Sequence, residues 1–247
     1  MVLYYKKNGD YMQNEFIRTE MLIGREAIEK LNKTKVAIFG VGGVGGYAFE
    51  GLIRSGVGSI DVFDNDDVNI TNINRQIIAL HSTIGRKKVD VIKERGLLIN
   101  PNAIINTFDS FVLESNIDNI DFSQYDYIID AIDTVNGKLA IIEKAKRLNI
   151  KVISSMGTGS KLNPLDLKVT DISKTKGCPL ARVMRTELKK RNITELKVVY
   201  SEEEVKPCLV ENPPLRESGR PTPSSISFVP SVAGLIIASE VIKDLIK

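Results

Sequence analysis

The chain has 247 residues, 43% of them apolar, which suits one domain or one large domain with an appendage and supplies a substantial core. Its 34 Lys and Arg against 31 Asp and Glu give a formal charge of +3, mild enough to permit an acidic ligand or RNA without demanding either. Two cysteines, Cys178 and Cys208, make neither a disulfide framework nor a CxxC pair, which excludes a structural zinc site with four cysteine ligands.

The opening MVLYYKKNGDYMQNE is too polar for a signal peptide, so a reducing cytoplasm is expected. Residues 15–31 read as a leading helix. KVAIF (35–39) is a short apolar run, a first buried strand. The glycine cluster that follows turns tightly into a helix stopping at Gly56, and SIDVFD (59–64) is a second strand. That order is a right-handed βαβ unit of the mononucleotide-binding kind. An Asn-rich polar loop leads to a helix over about 86–99, then to a strand within AIINTFDSFV (103–112). YDYIIDAID (125–133) reads as a strand ending in acid, 136–148 as a helix and KVISSMG (151–157) as the next strand. The first 157 residues thus predict an α/β fold, a Rossmann-like, mostly parallel sheet with helices on both faces. Beyond them come a strand in DLKVTDIS (166–173), a basic helix from about Pro179 and a strand in ELKVVYS (195–201). Residues 206–225, rich in Pro, Ser and charge, read as a mobile or functional loop. The final FVPSVAGLIIASEVIKDLI (228–246) is apolar but interrupted by Pro230, Glu240 and Lys243; a packed terminal helix is favoured over membrane contact.

Gly40, Gly42 and Gly45 spell G-x-G-x-x-G between a strand and a helix. The first permits the turn, the second lets phosphate approach the backbone, and the third lets helix and strand pack closely. The helix N-terminus offers N–H groups to phosphate, and Asp64 ends the next strand, where an acid binds ribose hydroxyls. NAD is the default ligand of this motif and ATP its rival. The loop DNDDVNITNINRQ decides between them. It gathers Asp64, Asp66, Asp67, Asn69, Asn72, Asn74 and Arg75 beside the nucleotide. Asp66 or Asp67 suits magnesium, with Asp66 favoured as the buried partner. Arg75 suits a phosphate clamp, Lys88 can neutralise a leaving pyrophosphate, and Asp133 lies at the strand ends where such sheets place ligands. This surplus of cation binders and positive groups fits nucleotidyl transfer better than hydride transfer.

GVGGVGG, DNDDVNITNINRQ, GRKKVD and DAID, in this order, resemble the ubiquitin-activating-like adenylyltransferases of the ThiF, MoeB and HesA superfamily, which use ATP and Mg2+ to adenylate a carboxylate. Within it, RTEMLIGREAIEKL, the stretch from GTGSKLNPLDLKVTD to MRTELKK, and FVPSVAGLIIASEVI resemble the branch that dehydrates threonylcarbamoyladenosine in tRNA. The resemblance implies an ATP-binding part over 1–157, glycine turn included (Gly40, Gly42, Gly43, Gly45), and a substrate, tRNA and dimer-contact part over 158–247, continuous with it. It implies that Asp64 and Asp66 attend the nucleotide, Asp64 binding the ribose. Asn72 and Arg75 contact phosphates, Lys88 rather than Lys87 stabilises charge at the transferring phosphate, and Asp133 holds magnesium. Arg18 matches an arginine that reaches a partner's ATP site in homodimers. A monovalent cation (Na+ or K+) and exchange with a cysteine desulfurase or sulfur-acceptor system are also implied. The rival within the superfamily is activation of the C-terminus of a ubiquitin-like sulfur carrier, which would use Cys208.

His81, the lone histidine, reads as structural, and both cysteines as non-catalytic. The basic helix, with Arg182, Arg185, Lys189, Lys190 and Arg191 behind Lys168, Lys174 and Lys176, reads either as a solvated face or as a patch for tRNA phosphates. Arg216 and Arg220 could order over substrate.

Overall fold

The computed structural model describes residues 14–215 and 222–247; Arg216 and Arg220 lie outside them. The expected leading helix is two helices, α1 (Ile17–Ile23) and α2 (Arg25–Lys33). Gly24 between them has φ +85°, outside the helical range, and turns the chain. Then follow β1 (Lys35–Phe39), α3 (Gly45–Arg54), β2 (Ser59–Phe63), α4 (Lys88–Ile99), β3 (Ile104–Phe108), β4 (Tyr127–Asp130), α5 (Val135–Arg147) and β5 (Lys151–Ser155). The later half adds β6 (Leu167–Asp171), α6 (Pro179–Lys190), β7 (Lys197–Ser201) and α7 (Phe228–Ile246).

The seven strands form one sheet in the order β3-β2-β1-β4-β5-β7-β6, parallel except for β6 against β7. Central strands are buried on both faces and therefore read as continuous apolar runs. In β1, Val36 and Ile38 face one core with Ile60, Tyr127 and Ile129, under α3, α4 and α7. Ala37 and Phe39 face the other, with Ile128, Val152 and Val198, under α5 and α6.

β4 stops short of its expected end. Its register against β1 and β5 runs out at Asp130, opposite Phe39 and Ser154, and Asp133 stands three residues further, exposed, just before α5. α7 is the packed helix. Its buried stripe, including Val229, Ala233, Ile237 and Val241, lies against α3. A Cβ on Gly234 would stand 2.2 Å from the Val44 carbonyl oxygen, so the backbone of α7 passes directly against that of α3 there. Among the described residues no helix is long and apolar enough to cross a membrane.

Candidate active site

β1 is flanked by β2 on one side and β4 on the other, so the chain reverses its direction of travel at the C-terminal ends of β1 and β4. Parallel sheets open a ligand crevice at such a point. The glycine turn fills it. Gly40 has φ +85°, and an added Cβ would lie 3.0 Å from the Ala131 backbone. At Gly45 the Cβ would lie 1.8 Å from the Gly40 carbonyl oxygen. The turn can therefore be made only without side chains at these two positions. Around Gly42 the space is open, the nearest atom being Gln76 Nε2 at 3.7 Å; Gly43 borders Pro230 of α7 and the Arg75 side chain.

Asp64 closes one side. Its Oδ2 accepts the Val41 N–H (2.8 Å) and its Oδ1 the Asp66 N–H (2.9 Å). Burial raises its pKa above the usual carboxylate value, opposed by the Lys88 ammonium and by those two N–H donors. Lys88 begins α4 and is buried; its Nζ donates to Asp66 Oδ2 (2.5 Å) and stands 3.9 Å from Asp64 Oδ1. Lys87 instead turns outward to Asp67 and Asp109. The preference for Asp66 as the buried acid is corrected: its side chain is 59% exposed, that of Asp67 56%, and the buried carboxylate is Asp64 at 9%. The chain leaves the sheet after β2, which carries residues 65–67 outward.

Asn72 Oδ1 accepts the Asn69 N–H (3.0 Å), pinning the turn that precedes Arg75. Arg75 is half-buried; its Nη1 donates to the Thr71 carbonyl (2.9 Å) and to Asn74 Oδ1 (2.8 Å), and desolvation lowers its pKa. Arg18 is exposed on α1, a helix with no fully buried residue among the described residues. His81 is exposed in a short turn; Cys178 is buried and Cys208 exposed.

Three features escaped the sequence reading. Gln76, inside the NRQ motif, is buried with Oε1 lacking a partner among the described residues. Asn74 donates from Nδ2 to the Ser225 carbonyl (3.0 Å), tying the Arg75 turn to the segment before α7. Behind the crevice, fully buried Lys138 donates to Asp130 Oδ2 (3.0 Å), Ser154 Oγ (3.3 Å) and the Ser155 carbonyl (2.7 Å). Its signal was present: 138, 141, 142 and 145 share the buried face of α5.

A glycine turn at the switch point of a parallel sheet, with a buried carboxylate, a buried lysine and an arginine at its rim, defines a site of the nucleotide-binding class. The chain belongs to the ThiF family, whose model matches residues 16–247. It is 42% identical over 246 residues, 96% of each chain, to the tRNA threonylcarbamoyladenosine dehydratase of Bacillus subtilis. To the Escherichia coli enzyme of that name it is 38% identical over 181 residues, 73% of this chain and 68% of that one. The crystal structure of E. coli TcdA, a tRNA N6-threonylcarbamoyladenosine dehydratase, in complex with ATP superposes with a TM-score of 0.84 at 31% identity, over 94% of this chain and 93% of that one.

Proposed function

We propose that this protein dehydrates N6-threonylcarbamoyladenosine, at position 37 of tRNA, in an ATP-dependent reaction through an acyl-adenylate. The observation that carries this is 42% identity to a dehydratase along 96% of both chains. A carboxylate is a poor electrophile because its leaving group would be oxide or hydroxide. A threonyl carboxylate oxygen therefore attacks the α-phosphorus of ATP and pyrophosphate leaves. The carbamoyl nitrogen then attacks the activated carbonyl, the ring closes, a proton leaves the nitrogen, and AMP departs with the carboxylate oxygen. The protein's part is orientation and electrostatics. In this reading Asp64 receives the ribose hydroxyls and the glycine turn the phosphates. Arg75 and Asn72 hold the phosphate chain, and Lys88 meets charge building at the transferring phosphate.

Magnesium fits the donors present. Among the described residues no three His, Cys, Asp or Glu side chains converge as a metal cage. Mg2+ characteristically uses one or two carboxylates plus substrate phosphates. Asp133 is the exposed carboxylate at this edge, and Asp66 a second. Bound there, the ion would neutralise phosphate charge. A monovalent cation belongs to the same reading. So does a homodimer: among the described residues α1 has no fully buried side chain, and its Met21 and Leu22 are 82% and 84% exposed, a face suited to a second copy that would receive Arg18. Residues 158–247 supply the substrate half, continuous with the nucleotide half because β5 pairs directly with β7. The apolar length of α7 is used against α3, which leaves little for a membrane.

The sulfur-carrier reading has less behind it. The adenylyltransferase and sulfurtransferase relatives match over little more than half of the chain, as at 35% identity over 56%. The test is pyrophosphate release from ATP and Mg2+ with tRNA bearing or lacking the modification. Release with the modified tRNA alone, its nucleoside lighter by one water, supports the dehydratase; release only with a Gly-Gly-ended protein replaces it.

A further inference from the structure

The positive charge of this chain is not spread evenly. Residues 172–191 hold seven Lys and Arg against one acid, a net +6, where the whole chain carries +3. The remaining residues therefore total −3. Helix α6 organises this charge. Ala181, Met184 and Leu188 are buried in the core under the sheet, which turns Arg182, Arg185 and Lys189, at i, i+3 and i+7, to one outer face.

The cations of this segment differ in what holds them. Arg185 is anchored, its Nη1 donating to the Thr175 carbonyl (2.9 Å) and to Thr175 Oγ1 (2.6 Å). Lys190 and Arg191 are engaged by Glu187, and Arg191 also by Glu143. Lys174, Arg182 and Lys189 are exposed and make no ion pair among the described residues. Arg185, Thr186, Lys189 and Lys190 line a shallow surface depression of about 520 Å³.

The position of the stripe ties it to the crevice. At the N-terminus of α6, Cys178 Sγ and Leu180 Cβ lie 3.6 and 3.7 Å from where a Cβ on Gly157 would stand, just past the C-terminal end of β5. That is the edge of the sheet on which the nucleotide crevice opens. From there α6 runs twelve residues, about 18 Å, and its exposed cations Arg182 and Lys189, seven residues apart, stand about 10 Å from each other along the axis. Separate, exposed charges set along one helix face match a polyanion with regularly spaced charges.

We propose that the outer face of α6, with Lys174 beside it, grips the phosphodiester backbone of the tRNA substrate and leads it toward the crevice. The proposal rests on the tRNA reading above. It favours RNA over an anionic membrane because a surface-lying helix must offer its apolar face to lipid, and α6 has spent that face on the core. The contacts are to phosphate, so they set position and affinity without reading sequence.

The experiment replaces Lys174, Arg182 and Lys189 together with alanine in the full chain and measures tRNA affinity as a function of salt. Losing three phosphate contacts should reduce the slope of log K against log salt by about 2 and raise KM for tRNA about tenfold. ATP affinity measured without tRNA should stay unchanged. An unaltered slope and KM, or a loss confined to ATP affinity, overturns the proposal. So does wild-type binding to anionic vesicles that the triple variant loses while its RNA slope persists. Salt-dependent tRNA binding by the wild type that the triple variant loses, with no change in the mass of the nucleoside, would uphold the surface and sink the dehydratase reading instead.

Discussion

Replacing Lys138 with methionine removes an ammonium from a place where both it and its partner are wholly shielded from water. Lys138 and Asp130 each have side chains 0% exposed. Asp130 Oδ2 also accepts from Ser154 Oγ, while Asp130 Oδ1 has no partner among the described residues. Without the ammonium, the carboxylate keeps one hydroxyl donor and loses its counter-charge. Breaking such a pair from one side costs about 3–5 kcal/mol, against a total stability of about 5–15 kcal/mol for a domain. At about 2–4 °C per kcal/mol for a chain of this size, Tm should fall by roughly 6–20 °C. The urea midpoint should fall with it at unchanged slope. Changing both partners, Lys138→Met with Asp130→Asn, leaves no stranded charge and should recover most of the loss. ATP affinity should suffer in the single variant, because Asp130 precedes Ala131, whose backbone supports Gly40 and whose Cβ would lie 3.2 Å from a Cβ on Gly45. A single variant within about 0.5 kcal/mol of wild type, the range of ordinary surface substitutions, would refute this reasoning. So would a double variant less stable than the single one.

Gly45→Ala drives a Cβ to 1.8 Å from the Gly40 carbonyl oxygen; the turn must open, and ATP binding followed by calorimetry should be lost while far-ultraviolet circular dichroism persists. Lys88→Gln removes the buried cation of the crevice. Pyrophosphate release should fall by about 10²–10³, the cost typical of losing one electrostatic contact to the transition state, with ATP binding reduced far less. In acid, Glu50 should report on the α3–α4 contact. Burial opposes its ionisation, but hydrogen bonds from Arg95 and Arg54 outweigh burial and hold its carboxyl below the usual value of 4.5. Its contribution is therefore complete above the unfolded-state value and lost as pH falls through the lower folded value. Urea midpoints taken from pH 5 downward should decline more steeply for wild type than for Glu50→Gln.

β1 and β2 were legible because short apolar runs stand between Lys35 or Ser59 and a loop rich in Gly or Asp, and nothing in the fold overrides them. The end of β4 was not. The apolar letters continue through Ala131 and Ile132, and what stops the strand is the exhaustion of its partners, a property of three strands at once. The leading helix divided at Gly24 because a lone glycine inside an amphipathic run does not reveal whether it will take positive φ. Candidate site residues drawn from the polar loop, Asp64, Arg75 and Lys88, were visible because charges bunched beside a glycine turn need a purpose. That neither Asp66 nor Asp67 but Asp64 is the buried acid depends on where the chain leaves the sheet. Lys138 and Gln76 were missed because each looks ordinary until packing removes its water.

The most direct test of the account follows one oxygen atom. Modified tRNA labelled with heavy oxygen in both threonyl carboxylate positions would be given to the protein with ATP and Mg2+, and the nucleotide product analysed by mass. Attack of the carboxylate on the α-phosphorus predicts AMP carrying one heavy oxygen for each nucleoside cyclised. Cyclised nucleoside accompanied by unlabelled AMP, or by ADP, would contradict the acyl-adenylate route.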